Sequence, residues 1–227
     1  MKTEKPAIIL YFTACILAVI ATAIKSETLL IFTKPIVIPA IFFYYLSIKK
    51  TKFNVWYGVF LLLTFAGDTI VLLDLKNETI FIMVPFILSY IILLCFITAD
   101  VKRLRFSWPG LATGLFAFGL LIVAAFTLIH FFSAESKALT VPVIIYGVIL
   151  GLQAGLAAYH FHVSSTNMSF YLAMTALFNC VSDVFYVIFT LIIIDFPEFQ
   201  SLDIALQIFS YYFVIKYFAL RKPLKSV

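Results

Sequence analysis

Charged and strongly polar residues fall in short clusters that divide this chain into long apolar runs. Eight of these runs come close to or exceed the about 20 residues that a helix needs to cross about 30 Å of hydrocarbon. They cover roughly 6–24, 29–48, 54–73, 79–98, 107–132, 140–160, 168–194 and 203–220. No stretch keeps up the in–out alternation of an outer-membrane strand, so a transmembrane barrel is excluded. The pattern predicts an all-α polytopic membrane protein: eight transmembrane helices, short polar connections, and one transmembrane helical domain over 1–227. Lys2 and Lys5 precede a run ending Ala21-Thr22-Ala23, which resembles a signal peptide. The run from Pro6 to Ile24 is nevertheless long enough to span, and it is read as the first helix.

Composition removes the other classes. Of 227 residues, 64% are hydrophobic and 12% are charged, against about half and about a quarter in soluble domains. That leaves no room for a separate soluble domain. The net charge of +5 is spread over the connections and gives no nucleic-acid signal. Its placement sets an orientation instead. With eight spans, Lys2, Lys5, Lys49, Lys50, Lys52, Lys102, Arg103, Arg105, Arg221, Lys222 and Lys225 lie on the side of the termini, and only Lys25, Lys76 and Lys137 lie on the other. The positive-inside rule then predicts cytoplasmic termini, in a bacterial-type inner membrane. Cys15, Cys95 and Cys180 lie in apolar runs and are read as packed free thiols, with no disulfide framework and no metal spacing. His130, His160 and His162 lie near helix ends and are read as interfacial rather than as metal ligands.

Several spans carry packing signals. Gly147, Gly151 and Gly155 share one face of the sixth span, and Gly110 and Gly114 one face of the fifth. Small residues at this spacing allow close backbone approach, here expected within the chain. Pro35, Pro39 and Pro85 are expected to kink the second and fourth spans.

The anomaly is polar. In the third span, Thr64-Phe65-Ala66-Gly67-Asp68-Thr69 puts a carboxylate in hydrocarbon, and an ionisable residue there marks a functional site by default. At 1.5 Å per residue, Asp68 lies ~21 Å above Asn54, Asp183 lies ~24 Å above Asn167, and Lys34 lies ~8 Å below the opposite interface. Three charged groups on three helices thus share one depth, near the outer interface. Asn179 lies one turn before Asp183, Ser182 adjoins it, and Thr64 lies one turn before Asp68. Tyr146 and Gln207 reach the same level from the sixth and eighth spans, with Tyr211 one turn beyond Gln207. For Tyr146, Asn179 and Gln207, substrate contact and a structural role both stay open. Lys34 and Asp68 could be a structural ion pair, with Asp183 protonated or bonded to Asn179. Lys216 is near the inner end and can snorkel. Asp195, Glu198 and Asp203 read as a solvated outer loop.

These motifs occur in a familiar order. Lys34-Pro35 with Pro39, Gly67-Asp68, the helix-six segment at Tyr146, Val181-Ser182-Asp183 and Tyr211-Tyr212 together resemble the YhhN/lysoplasmalogenase family of membrane proteins. The resemblance covers nearly the whole chain. It departs in the fourth span, where Ser89 stands in place of a family histidine. It implies hydrolysis of the vinyl ether bond of a lysophospholipid, lysoplasmalogen, to a fatty aldehyde and a glycerophospho-base, without a cofactor. Asp68 and Asp183 would be the catalytic carboxyls, and Lys34, Tyr146, Asn179 and Gln207 would bind substrate in the outer leaflet. Such chemistry needs a proton donor and a carboxylate that stabilises a cation or activates water, as glycosidases do. Burial disfavours an ionised acid and a nearby cation favours it, so the acid nearer Lys34 would stay ionised while the other keeps its proton. Which aspartate takes which part stays open. The other class the acids suit is a lipid or proton-coupled carrier.

Overall fold

The structure, a computed structural model, describes residues 4–49, 52–73, 78–132, 136–192 and 197–221. It contains eight long helices: α1 (Glu4–Ala23), α2 (Glu27–Ile48), α3 (Val55–Ile70), α4 (Glu78–Val101), α5 (Trp108–His130), α6 (Thr140–Ser164), α7 (Asn167–Leu191) and α8 (Pro197–Leu220). All eight are long and apolar enough to span a membrane, and the chain is an integral multi-pass membrane protein. Short polar side chains start several of them. Ser26, Asn54 and Ser107 accept the backbone N–H of Leu29, Trp56 and Gly110, and Thr166 and Ser169 form a reciprocal capping box. Each such bond satisfies a donor that the first turn leaves open. Both α2 and α4 continue through their prolines, Pro35 and Pro39 in the one and Pro85 in the other.

The helices are not packed equally. Consecutive contacts join α2 to α3, α3 to α4, α4 to α6, α6 to α7, α7 to α8 and α8 back to α2. Six helices therefore close a ring. The other two lie outside it: α1 against α2 and α8, and α5 against α6. The outer position of α5 follows from its sequence, since its only fully buried residues are Gly110 and Gly114, while Phe116, Leu120 and Val123 face outward.

The glycines behave as their spacing predicts. A Cβ on Gly114 would come 2.8 Å from the Gly155 carbonyl, and one on Gly155 would come 2.9 Å from the Gly114 carbonyl. Gly110 meets Val163 and Tyr159, and Gly151 meets Phe118. The two backbones touch, so no side chain fits between them. Gly155→Leu is expected to destabilise the protein by about 1–3 kcal/mol, the usual cost of overpacking, read as a lower midpoint of thermal unfolding in detergent.

The ring is filled unequally along its axis. Toward the end that carries the termini, Tyr57, Phe60, Leu93, Ile97, Leu172, Val214 and Phe218 form part of one buried cluster. At that same end an ion pair joins α4 to the end of α8. The Arg221 Nε donates to Asp100 Oδ2 at 2.8 Å, and the Tyr217 hydroxyl donates to the same oxygen at 2.5 Å. Burial works against the Arg221 charge, but the Asp100 carboxylate outweighs it and holds the guanidinium above its ordinary pKa. This network corrects the end of the fourth span: α4 runs one turn past residue 98 because Asp100 finds a cation inside the bundle. His160 is likewise buried rather than interfacial, bonded to Ser164 and within electrostatic reach of Asp100, whereas His130 and His162 are exposed. Cys15 and Cys180 are buried thiols, but Cys95 is exposed on the outside of α4 rather than packed. Lys216 near the end of α8 donates to the Tyr44 hydroxyl at 2.6 Å.

Candidate functional site

At the far end, away from the termini, the ring holds a cavity of about 370 Å³. That is within the range of small-molecule sites. Its rim comes from helix ends, with Glu27 on α2, Thr79 on α4 and Gln200 on α8. Its walls are largely apolar, with Ile82, Met83, Phe86 and Val143 among them. Into this apolar space project Lys34, Tyr146, Asp183, Asp203 and Gln207.

Three aspartates surround the site, each in a different environment. Asp68 on α3 is 3% exposed and does not line the cavity. Its Oδ2 accepts the Tyr211 hydroxyl at 2.8 Å, and its Oδ1 faces the Lys34 Nζ at 3.5 Å. The Thr64 hydroxyl, one turn earlier, bonds to the Phe60 carbonyl of its own helix instead. Lys34 stands between Asp68 and the cavity, buried on one side by its ion pair and lining the space on the other.

Asp183 on α7 is half-buried and lies in the cavity wall. The Tyr90 hydroxyl donates to its Oδ2 at 3.0 Å, and the Tyr146 phenol interacts with the same carboxyl. The two rings lie 5.5 Å apart, centre to centre. Gln153 on α6 fixes this arrangement from behind, donating to the Tyr90 carbonyl at 2.7 Å.

Asp203 on α8 corrects the expected solvated loop. Asp195 lies outside the described residues and Glu198 is exposed, but Asp203 is 8% exposed inside α8. The helix starts at Pro197, six residues before it. The Ser182 hydroxyl donates both to the Asp203 side chain and, at 3.1 Å, to its backbone carbonyl. Asp183 feels the charge of Asp203, and Asp203 feels those of Lys34 and Asp68.

The structure therefore brings Lys34 to Asp68, and Asp183 to Tyr90, Tyr146 and Asp203. The acid that shares the cavity with Asp183 is Asp203; Asp68 stays behind Lys34. Tyr146 and Gln207 line the cavity. Asn179 does not: with Ser182, Tyr211 and Gln207 it lines a separate void of about 10 Å³. Ser89 is fully buried and bonds to the Phe86 carbonyl of its own helix, so the polar contribution of α4 comes from Tyr90. Asp203 was within reach of the sequence. It lies four residues before Gln207 and eight before Tyr211, hence on the same helix face.

Gly67 makes room for a neighbour. A Cβ there would come 2.7 Å from Phe86 Cε2, in a ring that lines the cavity. Gly67→Ala is expected to push Phe86 toward the cavity and to cost about 1–3 kcal/mol of stability. A thermal midpoint equal to that of the wild type would contradict this packing.

Among the described residues no group of three or more His, Cys, Asp or Glu is placed to hold a metal ion. The sequence model of the YhhN family matches residues 29–218, most of the chain. No curated protein and no solved structure matches this chain.

Proposed function

The chain belongs to the YhhN family, and on that premise we propose that it is a membrane hydrolase that cleaves the vinyl ether bond of lysoplasmalogen-like lysophospholipids. The observation that carries this reading is one cavity in which an apolar wall, a lysine and two carboxyls meet. An apolar wall suits an alkenyl chain, the Lys34 ammonium suits a lipid phosphate, and carboxyls supply acid and base.

The charged groups lie at the right depth for such a lipid. Lys34 is seven residues into α2, Asp203 six into α8, and Asp183 eight from the end of α7, about 9–12 Å from the helix ends at 1.5 Å per residue. The labile bond of such a lipid lies just below its headgroup. With cytoplasmic termini in a bacterial-type inner membrane, as the lysine and arginine bias favours, the cavity opens toward the outer leaflet.

The chemistry follows from the bond. A carboxyl O–H gives its proton to the alkenyl carbon remote from oxygen, leaving an oxocarbenium ion. Water adds to the carbon that bears oxygen, and a second carboxylate takes the proton that water loses. The hemiacetal hydroxyl then gives its proton to the first carboxylate as its bond to the glycerol oxygen breaks, the second carboxyl returns its proton to that oxygen, and the aldehyde leaves. General acid and base steps of this kind contribute about 10²–10⁴-fold each. Asp183 supplies one of the two carboxyls, placed by the Tyr90 and Tyr146 phenols. Gln207 lines the cavity one turn deeper along α8 than Asp203.

The test compares two lipids. Purified protein in micelles is expected to convert a 1-alkenyl lysophospholipid into aldehyde and glycerophospho-base in equal amounts, and to leave the saturated 1-alkyl analogue intact. Absence of aldehyde from the alkenyl lipid would contradict the hydrolase. The same buried acids would also serve a lipid or proton-coupled carrier. Against that stands the buried aromatic and aliphatic cluster filling the half of the ring nearer the termini. Lipid uptake into liposomes driven by a pH gradient, without products, would favour the carrier.

A further inference from the structure

We propose that the second carboxyl facing the substrate is Asp203, and that Asp68 is a positioning residue that acts on the cavity only through Lys34. This rests on the hydrolase reading for its chemistry, but not for its geometry. Asp183 and Asp203 come from neighbouring helices and line the same cavity, whereas Asp68 does not reach it. The Ser182 hydroxyl sets the register of the pair: it sits next to Asp183 in the chain and donates to the Asp203 side chain and backbone. The two carboxyls line one cavity and Asp183 feels the charge of Asp203, so a proton carried by one makes it the donor and leaves the other as the base.

Asp68 is committed elsewhere. One oxygen accepts Tyr211 and the other faces Lys34. Asp68 holds the lysine in place across 3.5 Å, and the lysine presents its ammonium to the cavity and to Asp203. Loss of Asp68 therefore acts on phosphate binding, and loss of Asp203 acts on bond cleavage.

An apolar carbodiimide separates the three acids without any turnover. Dicyclohexylcarbodiimide adds across a carboxyl: the acid proton moves to a carbodiimide nitrogen, the carboxyl oxygen bonds to the central carbon, and the adduct rearranges to a stable N-acylurea with nothing lost. Wild-type protein in micelles, digested and read by mass spectrometry, is expected to carry one adduct per molecule, on Asp183 in some and on Asp203 in others, and none on Asp68. Prior addition of the saturated 1-alkyl lysophospholipid is expected to protect both. With the 1-alkenyl lipid, Asp203→Asn keeps the oxygen that accepts Ser182 and is expected to lower kcat about 10²–10⁴-fold. Asp68→Asn is expected to raise KM about tenfold or more, the effect of weakening one charge-assisted contact, with a smaller loss in kcat, and Asp68→Glu to restore KM in part.

An adduct on Asp68, no adduct on Asp203, or a wild-type kcat in Asp203→Asn overturns the assignment. If the wild-type protein releases no aldehyde, the hydrolase reading fails by itself, and the adduct pattern still decides which carboxyls face the cavity.

Discussion

Asp183→Asn is expected to lower kcat for aldehyde release about 10²–10⁴-fold, the span of a lost general acid or base, and to leave the fold intact. The asparagine oxygen can still accept the Tyr90 hydroxyl, which now donates to Asp183 Oδ2 at 3.0 Å. The change removes a transferable proton and a charge, and it keeps volume and one hydrogen bond. KM should move little, because the proposed phosphate partner is Lys34 on α2. A variant with a wild-type kcat would remove Asp183 from the chemistry. A variant that fails to fold would show that the carboxyl holds α7 to α4 and α6, and Asp183→Glu would then separate the two roles by keeping the charge.

Lys34→Met is expected to have the largest effect on stability. Lys34 and Asp68 are 6% and 3% exposed, and they face each other at 3.5 Å. Removing one partner of such a pair strands the other charge in a medium that cannot solvate it, at a cost of about 3–5 kcal/mol. Tyr211 continues to donate to Asp68 Oδ2, which places the loss toward the lower end. In the double variant Lys34→Met with Asp68→Asn the stranded charge is gone, and most of the loss should return. Thermal unfolding of the four proteins in one detergent measures the coupling. Additive losses would mean that the two groups do not depend on each other.

The eight spans were legible because bilayer thickness fixes their length and the Lys and Arg clusters punctuate them. The shared depth of Lys34, Asp68 and Asp183 was legible too, since topology alone set it. Two of the misses lie at helix ends. A hydropathy pattern ends a helix at its first charge, whereas a real helix continues when a partner on another helix answers that charge. Asp100 answers Arg221, so α4 extends to Val101. Asp203 answers Ser182, so α8 begins at Pro197 and carries a third acid into the site. Matched depth also could not tell which acid faces which. Asp68 and Asp183 share a level, yet Lys34 stands between Asp68 and the cavity. That is a matter of helix rotation, which depth does not report. Tyr90 was missed because a tyrosine in an apolar run looks like any other packed ring. Only the carboxyl opposite it gives its hydroxyl a role.

The central claim is that carboxyls in this cavity protonate carbon. It is tested most directly by running the reaction in deuterium oxide. The purified protein is given a 1-alkenyl lysophospholipid, and the aldehyde is trapped at once as its oxime, before it can exchange through the enol. Mass spectrometry should then find one deuterium on the carbon next to the former carbonyl, together with a glycerophospho-base in equal amount. Aldehyde without that deuterium, or no aldehyde at all, would contradict the account.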